Sequence, residues 1–119
     1  MKPVRVGDWS GRELRKHKRA HLGVPIECRS DQMTLQGKAE NIGTGGLLVR
    51  AEKTFTWDEE IRVSFQWPGS TEAFEVQARV AHVVPDTFMG LEFLDLPSEA
   101  SERIEQYIAA APAVPERQG

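Results

Sequence analysis

From His21 the chain alternates. Leu22, Val24, Ile26 and Cys28 fall on one side, and Gly23, Pro25 and Glu27 on the other. That is the period of two of a strand with one buried face. Pro25 has no N–H to give to a ladder, so this strand is expected to carry a free edge there. Ser30-Asp31-Gln32 reads as a turn, and residues 34–41 as a second, more polar strand. The run Asn41-Ile42-Gly43-Thr44-Gly45-Gly46 interrupts the pattern before Leu47-Leu48-Val49 resumes it. Residues 51–60 form a polar connection whose Phe55 and Trp57 are expected to cover one end of the core.

The clearest alternation follows. Ile61, Val63, Phe65 and Trp67 interleave with Arg62, Ser64 and Gln66, and Pro68-Gly69-Ser70 turns the chain. Phe74, Val76, Ala78 and Val80 open a strand that continues to Val84, and Pro85-Asp86 leads into a strand over residues 88–94. Short turns with no helix between strands imply an antiparallel sheet closing on itself. One helix is expected at the end. Pro97-Ser98 starts it, Glu99 and Glu102 sit early, and Ile104, Tyr107, Ile108 and Ala111 recur at helical spacing. Its apolar stripe should plug a barrel mouth or pack on the sheet. The predicted class is all-β with a terminal helix: a six-stranded antiparallel β-barrel followed by a C-terminal helix. Residues 1–11 read as a lead-in, 12–111 as the domain and 112–119 as a tail.

Composition narrows the function. The 119 residues carry 15 basic and 18 acidic side chains, a net charge of −3 with a pI of about 5.6. General nucleic-acid binding favours strongly basic domains, so a nucleic-acid polymer is not expected as a partner. No apolar run approaches a membrane span and no signal-peptide segment is visible, so membrane insertion is not expected either. A single cysteine, Cys28, excludes an internal disulfide, suits a reducing cytoplasm, and reads as a packed small hydrophobe.

Against the acidic background stands the octet over residues 12–19. Arg12, Arg15, Lys16, Lys18 and Arg19 face one acid, Glu13, a net +4 that leaves −7 for the rest. Such a concentration is an address for an anion, or else a solvated lead-in. His17 and His21 are spaced to share a metal from one helical turn, but no second ligand pair accompanies them, and His82 lies in an apolar strand. The Gly43 to Gly46 run precedes a strand and not a helix, so it is no P-loop or dinucleotide turn; its bland reading is a hairpin. No nucleophile, acid–base pair or metal set assembles, and no enzyme activity is expected.

Three features read together. They are Arg15-x-x-x-Arg19 before the first strand, the Asn41 to Gly46 run about twenty residues on, and Gly90-Leu91-Glu92-Phe93 before the helix. Together they resemble the PilZ domain, the bacterial cyclic di-GMP receptor module, whose pattern is R-x-x-x-R followed by D/N-x-S-x-x-G on a six-stranded barrel with a helix. The resemblance runs from about Arg12 to Ile108. It implies cyclic di-GMP as ligand, no metal, and a site of Arg15, Arg19, Asn41, Gly43 and Gly46, with Lys16 and Lys18 adding positive charge. It also implies that the Arg-rich segment orders on binding, and that an unidentified downstream protein receives the signal.

Arginine suits this ligand, because its fork binds phosphate or the guanine O6/N7 edge and stacks on a purine. Asn41 would bond a guanine edge, and Gly46 would allow close approach of the backbone. One departure stands out: Gly43 occupies the family's serine position, which implies weaker binding by about tenfold at most. Leu14, just before the first arginine, falls where the family varies between one and two stacked ligands. The alternative is a PilZ-type module that does not bind the dinucleotide and serves as a protein–protein adaptor. A nucleic-acid-binding barrel ranks last, since Trp9, Trp57 and Trp67 make no aromatic stripe.

Overall fold

The computed structural model describes residues 18–111. Six strands, β1 (Arg19–Arg29), β2 (Thr34–Gly43), β3 (Gly46–Arg50), β4 (Glu60–Gln66), β5 (Ala73–Val84) and β6 (Phe88–Leu94), precede one helix, α1 (Ser98–Ala110). They close an antiparallel barrel in the order β1-β2-β3-β6-β5-β4. The alternation places one side of every strand inside. Ala20, Leu22, Ile26, Cys28, Ile42, Leu47, Val49, Ile61, Val63, Phe65, Ala78, Val80 and Leu91 are all buried.

Pro25 behaves as its chemistry requires. β1 pairs with β2 across Pro25, but its ladder to β4 begins only at Ile26. Just before it, Gly23 adopts a φ of +67°, within an irregularity of register between His21 and Val24. A backbone in the left-handed region favours glycine, and the bulge re-aims the start of the strand.

Three expectations need correction. Arg19 opens β1, where the sequence reading places it before the first strand: Arg19-Ala20-His21-Leu22 already alternates, but its outer positions are polar and resemble the basic run before it. Ile42 and Gly43 also belong to β2, which continues past its expected end at Asn41, so that only Thr44-Gly45 turns. Trp57 does not cover the core. Phe55 is buried whereas Trp57 is 67% exposed, because the chain leaves the barrel at a turn where Asp58 takes a φ of +74°.

Helix α1 lies over the barrel end that carries Trp67. Ile104 is fully buried, the Tyr107 ring lies 5.0 Å from that of Trp67, and the Arg103 guanidinium sits 4.5 Å from the Trp67 ring centroid. Arg103 also grips Glu72 with two hydrogen bonds of 3.0 and 3.1 Å. Phe65, Trp67 and Phe74 meet with ring centroids 5.1 to 5.3 Å apart, in tilted and edge-on arrangements favoured by aromatic quadrupoles. Tyr107 Oη donates a 2.6 Å hydrogen bond to the carbonyl of His21, so the helix is fastened to the first turn of β1.

Candidate functional site

In an antiparallel ladder, residues directly opposite one another point to the same face. Register therefore shows which outer side chains share the barrel wall. Arg19 stands opposite Gly43, Gly46 opposite Glu92, Glu92 opposite Arg79, and Arg79 opposite Glu60. Gly43 and Gly46 themselves flank the Thr44-Gly45 turn, one step beyond the Ile42–Leu47 pair. Their sequence neighbours Ala20, Ile42, Leu47, Leu91 and Ala78 are buried, so this row faces out. A second outer row runs His21, Asn41, Leu48, Gly90 and His82.

Two glycines thus floor the middle of the first row and a third lies in the second. Arg19 lies down across this floor. Its Nε donates to Asn41 Oδ1 at 2.8 Å, and its Nη2 lies 3.5 Å from the carbonyl oxygen of Gly46, a long and weak contact. A Cβ at Gly43 would sit 3.0 Å from Arg19 Nη1 and 3.2 Å from Arg19 Cγ. Gly43 is what lets the guanidinium rest on the wall.

Burial lowers the Arg19 pKa to about 10, because desolvation penalises its charge. Arg19 remains a cation at neutral pH. Among its acceptors are the neutral oxygens of Asn41 and Gly46.

Gly46 answers a different demand. A Cβ there would lie 1.9 Å from the carbonyl oxygen of Leu91, so β3 could not approach β6 as it does. Beside it, the Phe93 N–H donates to the Gly45 carbonyl at 2.9 Å. Gly46 thus allows a close approach of β3 to β6.

Arg19, Asn41, Gly43 and Gly46, far apart in sequence, are brought together on one patch of wall. Lys18 immediately precedes β1 and is exposed. Arg12, Leu14, Arg15, Lys16 and His17 lie outside the described residues, as do the expected lead-in and the tail.

Beyond the glycine floor is a feature that sequence reading missed. Arg79 Nη2 donates to Glu92 Oε1 at 2.6 Å, while Arg79 Nε lies 3.6 Å from Asp58 Oδ1. The hydrogen bond Arg79 donates to Glu92, and then the charge of Glu92, chiefly raise the Arg79 pKa. Glu92 was in view as part of Gly90-Leu91-Glu92-Phe93, but its position opposite Gly46 depends on a β3–β6 pairing that no local pattern specifies. Among the described residues no three of His, Cys, Asp and Glu converge as metal ligands, and no helix is long and apolar enough to cross a membrane. An open cleft of about 460 Å³ lies elsewhere, where β1 and β4 part around Pro25, Gln36, Gln66 and Pro68.

Comparison with solved structures places the fold among known barrels. The PilZ domain with c-di-GMP of YcgR from Escherichia coli aligns with a TM-score of 0.69 at 11% identity, over 82% of this chain and 90% of that one. The Bacillus subtilis inhibitor of motility (MotI/DgrA) aligns at 0.66 with 18% identity over 80% of this chain; the alignment spans 49% of that protein, about half its length. PlzA of Borreliella burgdorferi in complex with c-di-GMP gives 0.58 and 14%, covering 91% of this chain and 50% of that one. At such identities the likeness speaks of the fold. No curated protein sequence matches the chain. A family model for the PilZ domain matches residues 13–110, from the Arg-rich segment through the barrel to the end of α1, and on that span the chain belongs to the PilZ domain family.

Proposed function

We propose that the chain is a receptor for cyclic di-GMP, not an enzyme, acting in the bacterial cytoplasm. The observation that carries this reading is the Arg19 guanidinium lying desolvated across Gly43 and docked on Asn41. Cyclic di-GMP offers two phosphates and two guanines. Arg19, with Arg15 from the preceding turn of sequence, closes over a phosphate or a guanine O6/N7 edge. Lys16 and Lys18 add to the attracting field. With Oδ1 accepting from Arg19, Asn41 keeps its Nδ2 hydrogens for a guanine acceptor. Gly43 and Gly46 add no side chain of their own to keep a flat base off the wall. Family membership and the c-di-GMP complexes among its structural relatives support the ligand.

Binding then gathers the segment around Arg15 against the wall, and a partner protein reads the change. Isothermal titration with cyclic di-GMP tests the reading: a saturable heat is expected, and the Arg15→Ala, Arg19→Ala double substitution is expected to abolish it. Amide exchange should slow over residues 12–19 at saturation. Unchanged exchange there would refute the ordering step and leave the binding intact.

One observation favours a second reading, a ligand-blind adaptor. Gly43 replaces the family's serine, and the Arg19–Asn41 bond lets two ligand-reading groups satisfy each other. A wild-type protein silent in the titration would select it.

A further inference from the structure

Every contact proposed so far between the β1–β2 side and the ligand gives hydrogen bonds from the protein. Arg15, Arg19, Lys16, Lys18 and the Asn41 amide hydrogens read phosphate oxygens and the guanine O6 and N7, which are acceptors. Guanine also carries donors, N1–H and the N2 amine, on its Watson–Crick edge. On the β1–β2 side the Asn41 Oδ1 accepts, and Arg19 already donates to it. Adenine presents an acceptor at N1 and no N2 amine, so this is where the two purines differ most.

Directly across the glycine floor stands an acceptor. Glu92 faces out of β6 opposite Gly46, with its side chain half exposed. Arg79 pins Oε1 at 2.6 Å, and Asp58 steadies Arg79 in turn. Oε2 makes no hydrogen bond or ion pair among the described residues. The ion pair also tempers the repulsion a bare carboxylate would exert on a doubly anionic ligand. Three strand spacings separate β1 from β6, about 14 Å along the wall. A dinucleotide held by Arg19 at one side can lay a base over Gly43 and Gly46 and bring its edge to the other.

We infer that Glu92, held by Arg79, is a specificity-determining residue of this site. Its carboxylate accepts from guanine N1–H and the N2 amine, and so selects cyclic di-GMP over cyclic di-AMP. Arg79 is a positioning residue that acts through Glu92. The inference rests on the receptor reading above, and it is tested separately from it.

The experiment is titration of wild type, Glu92→Ala and Glu92→Gln with cyclic di-GMP, cyclic di-AMP and cyclic di-IMP, the last lacking the N2 amine. Wild type should prefer cyclic di-GMP to both analogues. A charge-assisted pair of this kind should be worth about tenfold or more in affinity. Both variants should lose that factor for cyclic di-GMP while cyclic di-AMP binding stays within about twofold, so the preference collapses. A merely structural role would weaken all ligands alike, and that result overturns the inference. So does a variant with unaltered preference. The inosine ligand needs no substitution, so equal wild-type affinity for cyclic di-GMP and cyclic di-IMP overturns it even if a variant fails to fold. A wild type silent toward cyclic di-GMP refutes the receptor reading and takes this inference with it.

Discussion

Gly45 and Gly46 are neighbours in sequence and opposites in packing. An added Cβ at Gly45 meets nothing within 4 Å, and the residue is not in the left-handed region. An added Cβ at Gly46 falls 1.9 Å from the Leu91 carbonyl oxygen and 3.0 Å from its carbon. Relief to ordinary contact needs a shift of more than about 1 Å between β3 and β6, since neither backbone has a flexible end that can move aside. That shift strains the Gly46–Glu92 pair and the Phe93-to-Gly45 hydrogen bond. Two weakened ladder bonds at about 1 kcal/mol each, with about 1–3 kcal/mol of overpacking, give a loss of about 3–5 kcal/mol for Gly46→Ala. For a domain of this size that lowers the Tm by about 10–20 °C. Gly45→Ala should stay within about 1 kcal/mol of wild type, because nothing blocks the added methyl and alanine restricts the unfolded chain. Urea unfolding followed by tryptophan fluorescence measures both, since Trp67 is buried in the core. Equal midpoints for the two variants, or the reverse order, would refute the packing argument. The expected result assigns the last glycine of the ligand motif to the architecture of the wall before any role toward ligand.

Other outcomes follow from the same geometry. Gly43→Ser crowds Arg19 off Asn41 and restores a hydroxyl, so cyclic di-GMP affinity should rise about two- to tenfold, with Gly43→Ala giving a smaller change; weaker binding by the serine variant in titration would count against the parked arginine. Tyr107→Phe removes the bond to the His21 carbonyl and should cost about 1 kcal/mol in chemical denaturation. Burial, then the charge of Glu27, pushes the Cys28 thiol up to about 12. The native state thus holds its proton where the unfolded chain releases it, near pH 9. Stability should therefore decline from about pH 9 toward pH 12, by up to about 1.4 kcal/mol per pH unit, and Cys28→Ala should flatten that slope in urea melts across the range.

Much of the barrel was legible because strands with one wet face write their period into the chain. Residues 88–94 were bounded as observed, and the helix start at Ser98 was visible from Pro97. The failures have a common cause. Arg19 looked like part of a basic run because its outward neighbour in β1, His21, is polar too, and only the inward Ala20 and Leu22 mark the strand. Ile42 and Gly43 read as a loop because glycines break a pattern without breaking a ladder. Phe55 and Trp57 carry equal apolar signals, and what separates them is the left-handed Asp58 turn that carries the chain outward. Of the candidate site, the arginine, the asparagine and two glycines were nameable from sequence. Glu92 and Arg79 were not, because a pairing between the third and sixth strands is a fact of closure and leaves no local trace.

The hydrogen bond from Tyr107 to the His21 carbonyl spans 86 positions of chain. It makes the domain a ring in the mechanical sense, with its last element clasped to its first at His21, two residues beyond Arg19. Opening that clasp should loosen the helix and the beginning of the barrel in one event, so exchange protection at the two ends should rise and fall together. Tension on the helix would then be felt beside the guanidinium that guards the wall, and a change of grip there would travel outward by the same buckle.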